Sequence, residues 1–245
     1  MLLNRIPSPS ETFNDLDHEL VNFFKVLRER TDELVKSITL TPFSREELKN
    51  AVGIKETWKD VPELECARLF LVRAKQTQRG VGQTSSVGRW NYCIDNSRNH
   101  MATNVSRWVN NHDLAWIAQR LLRVQIENDD AISVIQRYDT KKTLFYCDPP
   151  YPLESRGGTA YQYELTEHNH LELAKVLREV NGKVAISGYD CPLMKELYED
   201  WQMTKDIPRL MHASNQFSDR YRTEVLWTNY DIDKVQMDTR QAKVI

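Results

Sequence analysis

The chain has 245 residues, a formal net charge of −2, 40% hydrophobic and 28% charged residues. That length supports a good core in one domain with an inserted lobe. The near-neutral charge excludes a uniformly basic nucleic-acid binder, so any contact with a polyanion has to be a local patch. No apolar run approaches the length of a bilayer span and no signal peptide opens the chain. The four cysteines (Cys66, Cys93, Cys147, Cys191) are scattered without paired metal spacing, which predicts reduced thiols in a cytoplasmic protein.

Pro7 and Pro9 precede a short strand near Glu11–Asn14. Leu20, Phe23, Phe24 and Leu27 recur at helical spacing and predict a helix of about five turns after Asp17. Ser44 with Glu47 reads as a capping box for a short helix. Pro62 opens another, carrying Leu64, Ala67, Leu69, Phe70 and Val72. From Arg68 to Trp108 the chain changes character. Arg68, Arg73, Lys75, Arg79, Arg89, Arg98 and Arg107 alternate with Trp90, Tyr92, Trp108 and several Ser, Thr and Asn. Such side chains on a loop-rich lobe suit phosphate positioning and base-edge reading; on charge alone they equally form a solvated basic face. Gly80-Val81-Gly82 follows no strand and opens no clear helix, which excludes a phosphate loop. Leu114, Ile117, Leu121 and Leu122 return to a core helix, then a strand is expected at Val124–Glu127 and a helix at Ala131–Arg137.

The next stretch organises the chain: Thr143-Leu144-Phe145-Tyr146-Cys147-Asp148-Pro149-Pro150-Tyr151. Its apolar run is short and apolar on both faces, so it reads as a buried strand of a parallel sheet. Pro149 and Pro150 stop it, because neither has an N–H to give a neighbouring strand. Parallel sheets bind ligands at the carboxyl ends of their strands, where Asp148 and Tyr151 fall. The polar, glycine-bearing segment from Pro152 to Thr159 reads as a loop that closes over substrate. A helix at Glu167–Val180, a strand at Lys183–Ser187 and a helix near Pro192–Asp200 follow. Strands near Met203–Arg209 and Arg222–Thr228 complete the alternation, and residues after Asp231 are expected to fray.

The Asp148–Tyr151 stretch resembles motif IV of the amino-methyltransferases that act on an exocyclic amine with S-adenosylmethionine. The whole chain resembles the Dam-type, alpha-group DNA adenine-N6 methyltransferases, from Leu2 to about Asp231 and in that family's order. The matching segments are Phe13–Asp17 with Leu20–Phe24, Arg123–Asn128, Gly182–Tyr189 and Thr223–Trp227. The resemblance implies a Rossmann-like α/β methyltransferase domain at 1–54 and 113–245, N-terminally incomplete. It also implies an inserted helical and loop-rich target-recognition lobe at 55–112 that meets double-stranded DNA through Arg73, Lys75, Arg79, Arg89, Trp90 and Arg107. Asp15 would meet the cofactor ribose, Asp130 the cofactor adenine and Asp148 the sulfonium side. Taken on residues alone, Asp15 is a turn or cap aspartate and Asp130 a helix cap.

The same resemblance gives the chemistry. The lone pair of adenine N6 is delocalised into the ring, so the amine is a poor nucleophile. The Asp148 carboxylate and Pro149 carbonyl would draw its protons and favour a tetrahedral nitrogen, while Pro150 stiffens the turn. Tyr151 would stack on an adenine swung out of the duplex. Asn or Ser in place of Asp148 would point toward glutamine or cytosine.

One departure is at the front: Met1–Arg5 resembles the tail of the helix that follows the family's first strand and glycine-rich turn. Roughly thirty to forty residues of the cofactor half are then absent. Three readings remain open: an adenine methyltransferase from a truncated or split gene, an inactive DNA- or partner-binding remnant, and one subunit whose cofactor motif comes from a separate chain.

Overall fold

A computed structural model of the chain describes residues 2–54, 57–77, 90–92, 105, 108, 113–156, 161–205, 209–210 and 221–234. They divide into two compact units, 1–130 with 160–162 and 131–159 with 163–245.

In the first unit, strands β1 (Glu11–Asn14) and β2 (Val124–Glu127) pair in parallel, Glu11 opposite Val124 and Asn14 opposite Glu127. Between them run α1 (His18–Glu29), α2 (Thr31–Thr39), α3 (Arg45–Gly53), α4 (Glu63–Gln76) and α5 (Asp113–Leu121). Asp17 caps α1, its carboxylate accepting from the Glu19 N–H at 2.9 Å. The expected five-turn helix is two helices. Arg30 sits at φ −135°, ψ 44° and breaks the ladder, and the Thr31 hydroxyl bonds back to the Leu27 carbonyl at 2.7 Å. Ser44 caps α3 through the Glu46 N–H at 3.2 Å; Glu47, expected to close a capping box, pairs with Arg68 at 2.7 Å.

The apolar faces of these helices meet in one cluster that includes Phe23, Leu27, Leu34, Leu48, Val72, Trp108 and Leu121. Each such side chain contributes roughly 1.5–3 kcal/mol by leaving water. α4 packs on α1 and α3, and the Trp108 indole N–H donates to the Thr41 carbonyl at 2.8 Å. The described part of 55–112 therefore shares the core of the first unit. Its helix is amphipathic, and the apolar stripe is met by the helices before it.

In the second unit, β3 (Leu144–Cys147), β4 (Lys183–Tyr189), β5 (Gln202–Lys205) and β8 (Glu224–Thr228) form a sheet of order β3-β4-β8-β5. β3 is parallel to β4, and β8 runs antiparallel to β4 and β5. Two-residue strands β6 (Arg209–Leu210) and β7 (Tyr221–Arg222) pair with each other. Helices α6 (Ala131–Tyr138), α7 (Glu167–Glu179) and α8 (Pro192–Leu197) complete the unit. Ile135, Leu173, Leu177, Val184, Ile186, Met194 and Trp227 fill its core. The β3–β4 pairing begins at a close approach: a Cβ on Gly182 would stand 2.9 Å from the Thr143 carbonyl oxygen. Asp139 fixes that corner by accepting from the Asn181 and Gly182 N–H groups, each at 2.9 Å.

β3 differs from the expected strand buried on both faces. Leu144 is 49% and Tyr146 41% exposed. Among the described residues β4 is the sole strand beside it, so β3 is an edge. No helix among the described residues is long and apolar enough to cross a membrane.

Candidate active site

The two prolines end β3 and turn the chain at its carboxyl end, and the Cys147–Ile186 register puts Asp148 beside Ser187. The Ser187 hydroxyl lies 2.7 Å from Asp148 Oδ1 and 3.2 Å from the Cys147 carbonyl oxygen; its one proton suits the nearer carboxylate, which ties Asp148 to β4. The Tyr151 ring stands edge-on to Tyr189 with centroids 4.6 Å apart. Burial, then the Asp148 carboxylate, push the Tyr151 phenol well above its usual range. Burial, then Asp148 again, push the Cys147 thiol up to about 12, so it is a neutral neighbour. The Asp148 carboxylate itself is exposed.

Thr166 and Asn169 close a capping box at the start of α7, and His170 in its first turn is buried, which with the Arg156 guanidinium holds its imidazole below the usual value. The residues after Tyr151 are pinned by Ser155, whose hydroxyl donates to the Pro152 carbonyl at 2.6 Å. Arg156 then pairs with Glu164. Of the segment expected to close over substrate, residues 157–159 lie outside the described residues.

In the first unit, Asp15 follows β1 directly and is half-buried. Its Oδ1 accepts from the Asp17 N–H at 2.8 Å, and its carbonyl accepts from Asn128 Nδ2 at 2.7 Å. Asn14 bonds Asp129 twice, at 3.0 and 3.1 Å, so the carboxyl ends of the parallel pair are cross-tied. Burial raises the Asp15 carboxyl above its ordinary value, against the lowering effect of the Asp17 N–H. A desolvated acceptor-only group of this kind fits a ligand that brings hydroxyl donors. Asp130 is exposed just beyond β2, its N–H donating to Asp129 Oδ1 at 2.8 Å.

The residues expected on DNA are scattered in kind. Arg73 requires correction: it is 1% exposed, paired with Glu19 and bonded to the Ala51 carbonyl at 2.7 Å. A guanidinium enclosed in that way holds the first unit together and does not reach a phosphate. Lys75 is exposed on the last turn of α4. Trp90 is half-buried, 5.6 Å from Phe43 and 6.0 Å from Tyr92 in ring-centroid distance, with the Arg45 guanidinium 4.6 Å above it. Arg79, Arg89 and Arg107 lie outside the described residues.

Sequence reasoning gave no role to Ser187, His170, Asn14, Asn128 or Arg45. Two of these carried a legible signal. Ser187 is a hydroxyl in an otherwise apolar strand, and His170 shares the helical face of Leu173, Ala174 and Leu177.

Strands alternating with helices, and an Asp-Pro-Pro-Tyr turn that offers a carboxylate and a rigid carbonyl at a strand end, are what the resemblance to amino-methyltransferases implies. A sequence profile described as D12 class N6 adenine-specific DNA methyltransferase matches residues 5–214. The chain belongs to that family, and its reaction is methyl transfer to the N6 amine of adenine at specific sites in DNA. A relative, the Type II methyltransferase M1.LlaDCHI of Lactococcus lactis subsp. cremoris, is 23% identical over 235 residues, covering 89% of this chain and 78% of that protein.

Proposed function

We propose that Asp148, Pro149, Pro150 and Tyr151 carry the reaction and that Asp15, Asp130 and Asp148 receive S-adenosylmethionine. The observation that carries this reading is the Ser187 hydrogen bond to Asp148 at the carboxyl end of β3. It fixes one carboxylate oxygen and so orients the group that has to accept an N6 proton. The Pro149 carbonyl is the second acceptor, presented rigidly because proline φ is locked. Two acceptors at N6 localise its lone pair, and Tyr151 supplies a ring on which an extruded adenine stacks. When bound, the cofactor supplies an electrophilic methyl on its sulfonium. The Asp15 carboxylate fits the ribose hydroxyls, whose donation offsets its burial cost. Asp130 fits the amine edge of the cofactor's adenine.

DNA contact is assigned to Lys75, Arg79, Arg89, Trp90 and Arg107, with Arg45 and Tyr92 joining Trp90 in an aromatic and cationic stack, within a target-recognition region around 55–112. The substrate is double-stranded DNA, and the relationship to a Type II methyltransferase supports a restriction-modification role. The open edge of β3 favours one addition: a further strand, in this chain or a separate one, pairs along it.

The test is labelled methyl incorporation into adenine by the full-length protein and by Asp148→Ala. The rate is expected to fall by about a hundred- to ten-thousandfold, with DNA affinity and melting temperature retained. A variant within about tenfold of the parent removes Asp148 from this chemistry.

A further inference from the structure

We infer that Arg45 is a DNA contact, its guanidinium held by Trp90 and Tyr92 so that its N–H edge meets two neighbouring acceptor atoms on the duplex. This rests on the reading of the region around 55–112 as the one that meets DNA, and says what the cationic and aromatic stack there binds.

Arg45 is the first residue of α3 and is exposed. Its charge finds little to offset it locally. The start of a helix carries the positive end of the backbone dipoles, where a cation is disfavoured. The two carboxylates that follow it are taken, Glu46 by Lys49 at 3.1 Å and Glu47 by Arg68 at 2.7 Å. Among the described residues the guanidinium interacts with rings alone. Its carbon stands 4.6 Å from the Trp90 centroid and 5.8 Å from that of Tyr92. A ring face attracts the charge, yet it leaves the five N–H groups without an oxygen acceptor.

The stack is built on Gln76, which is fully buried at the end of α4. Its Oε1 accepts from the Ser44 N–H and its Nε2 donates to the Pro42 carbonyl, both at 3.1 Å. Its backbone carbonyl accepts from the Asn91 N–H at 2.9 Å, and the next residue, Thr77, forms an antiparallel bridge with Trp90. The start of α3 and the 90–92 segment are thus tied to one turn of α4, which sets Arg45 against Trp90. Phe43 and Tyr92 pack on the same indole, with centroids at 5.6 and 6.0 Å. Tyr92 is 52% exposed, so the stack reaches solvent where the guanidinium does.

A planar fork of donors matches two acceptors side by side, as on a phosphate or on the O6/N7 edge of guanine. Two rings already restrict the long side chain, so less freedom is lost when DNA arrives. Lysine at this position would keep the charge and lose the fork.

The test is a titration of the full-length protein with duplexes carrying single base-pair changes around the methylated adenine, at several salt concentrations. Arg45→Ala is expected to weaken binding by about tenfold, with the melting temperature held. Arg45→Lys is expected to recover a minor part of that loss. A slope of log affinity against log salt lowered by about one, with equal loss on every duplex, identifies a phosphate. A held slope, with discrimination relaxed at one G·C pair, identifies a guanine edge. Trp90→Leu is expected to reproduce the Arg45→Ala loss, and the double replacement to bind no more weakly than either alone. If Trp90→Leu does not fold, Tyr92→Leu takes its place. Unchanged binding in Arg45→Ala overturns the inference. Full recovery by lysine also overturns it, because diffuse charge then suffices, and so do additive losses with Trp90→Leu. If replacing Arg79 and Arg89 leaves binding unchanged too, the reading of the region has failed; if those two weaken binding and Arg45→Ala does not, the role of Arg45 alone has.

Discussion

Ser187 Oγ stands 2.7 Å from Asp148 Oδ1, so the carboxylate at the end of β3 is oriented from the neighbouring strand. One hydroxyl thus links the turn that carries the chemistry to the core of the second unit. Replacing Ser187 with alanine removes the bond and leaves the β3–β4 ladder in place. The rate of methyl transfer is expected to fall by about ten- to a hundredfold, the range for removing a hydrogen bond to a charged acceptor. Steady-state kinetics on adenine-labelled duplex measures it, and an unchanged rate would assign the bond to structure alone.

Asp15 offers a prediction with opposite signs for binding and stability. Its carboxyl is raised in the folded state, chiefly by burial. A raised value favours folding below the ordinary carboxylate range and loses that contribution as pH rises through the raised value. At neutral pH the ionised group is a cost. Asp15→Asn keeps an oxygen for the Asp17 N–H and removes the charge. Its melting temperature is expected to rise above the parent at neutral pH, the gap closing as pH falls through the carboxylate range. Calorimetric affinity for S-adenosylmethionine is expected to weaken by about tenfold over the same comparison. Unaltered affinity would separate Asp15 from the cofactor.

Arg73 is expected to act on stability. Arg73→Ala leaves the buried Glu19 carboxylate without its guanidinium, a loss of about 3–5 kcal/mol for broken buried pairs. Chemical denaturation reads this directly. The double replacement Arg73→Met with Glu19→Gln is expected to recover part of the loss, and the salt dependence of DNA binding is expected to stay that of the parent. A flattened salt slope with normal stability would return Arg73 to the DNA surface.

Arg79 and Arg89 test the target-recognition region. Replacing both with alanine is expected to weaken DNA binding and to lower the slope of log affinity against log salt by about one for each phosphate no longer neutralised. A titration at several salt concentrations decides the matter. An unchanged slope would make these arginines part of a solvated face.

The sequence by itself determined most of the element order, the Asp-Pro-Pro-Tyr turn and the family it marks, because each is a local matter; the break at Arg30 and the separate β6–β7 pair were not legible in it. Apolar periodicity sets helix or strand, proline stops β3, and Asp148 follows from the strand's end. The strand at Val124–Glu127 and the opening of helices at Glu63, Ala131 and Glu167 fall where that periodicity puts them. Composition could not say which basic residues are free. Arg73 and Lys75 are two residues apart in one run, and a helix turns about 100° per residue, roughly 200° over two, so one enters the core against Glu19 and the other faces solvent. Only the tertiary structure decided that, and it alone brought Ser187 to Asp148 across a gap of 39 residues. That pairing depends on the register of β3 against β4. The packing also decided that Leu144 and Tyr146, two apart on one face of β3, stand exposed: an apolar run fixes a strand, and what covers each face fixes how much of it water reaches.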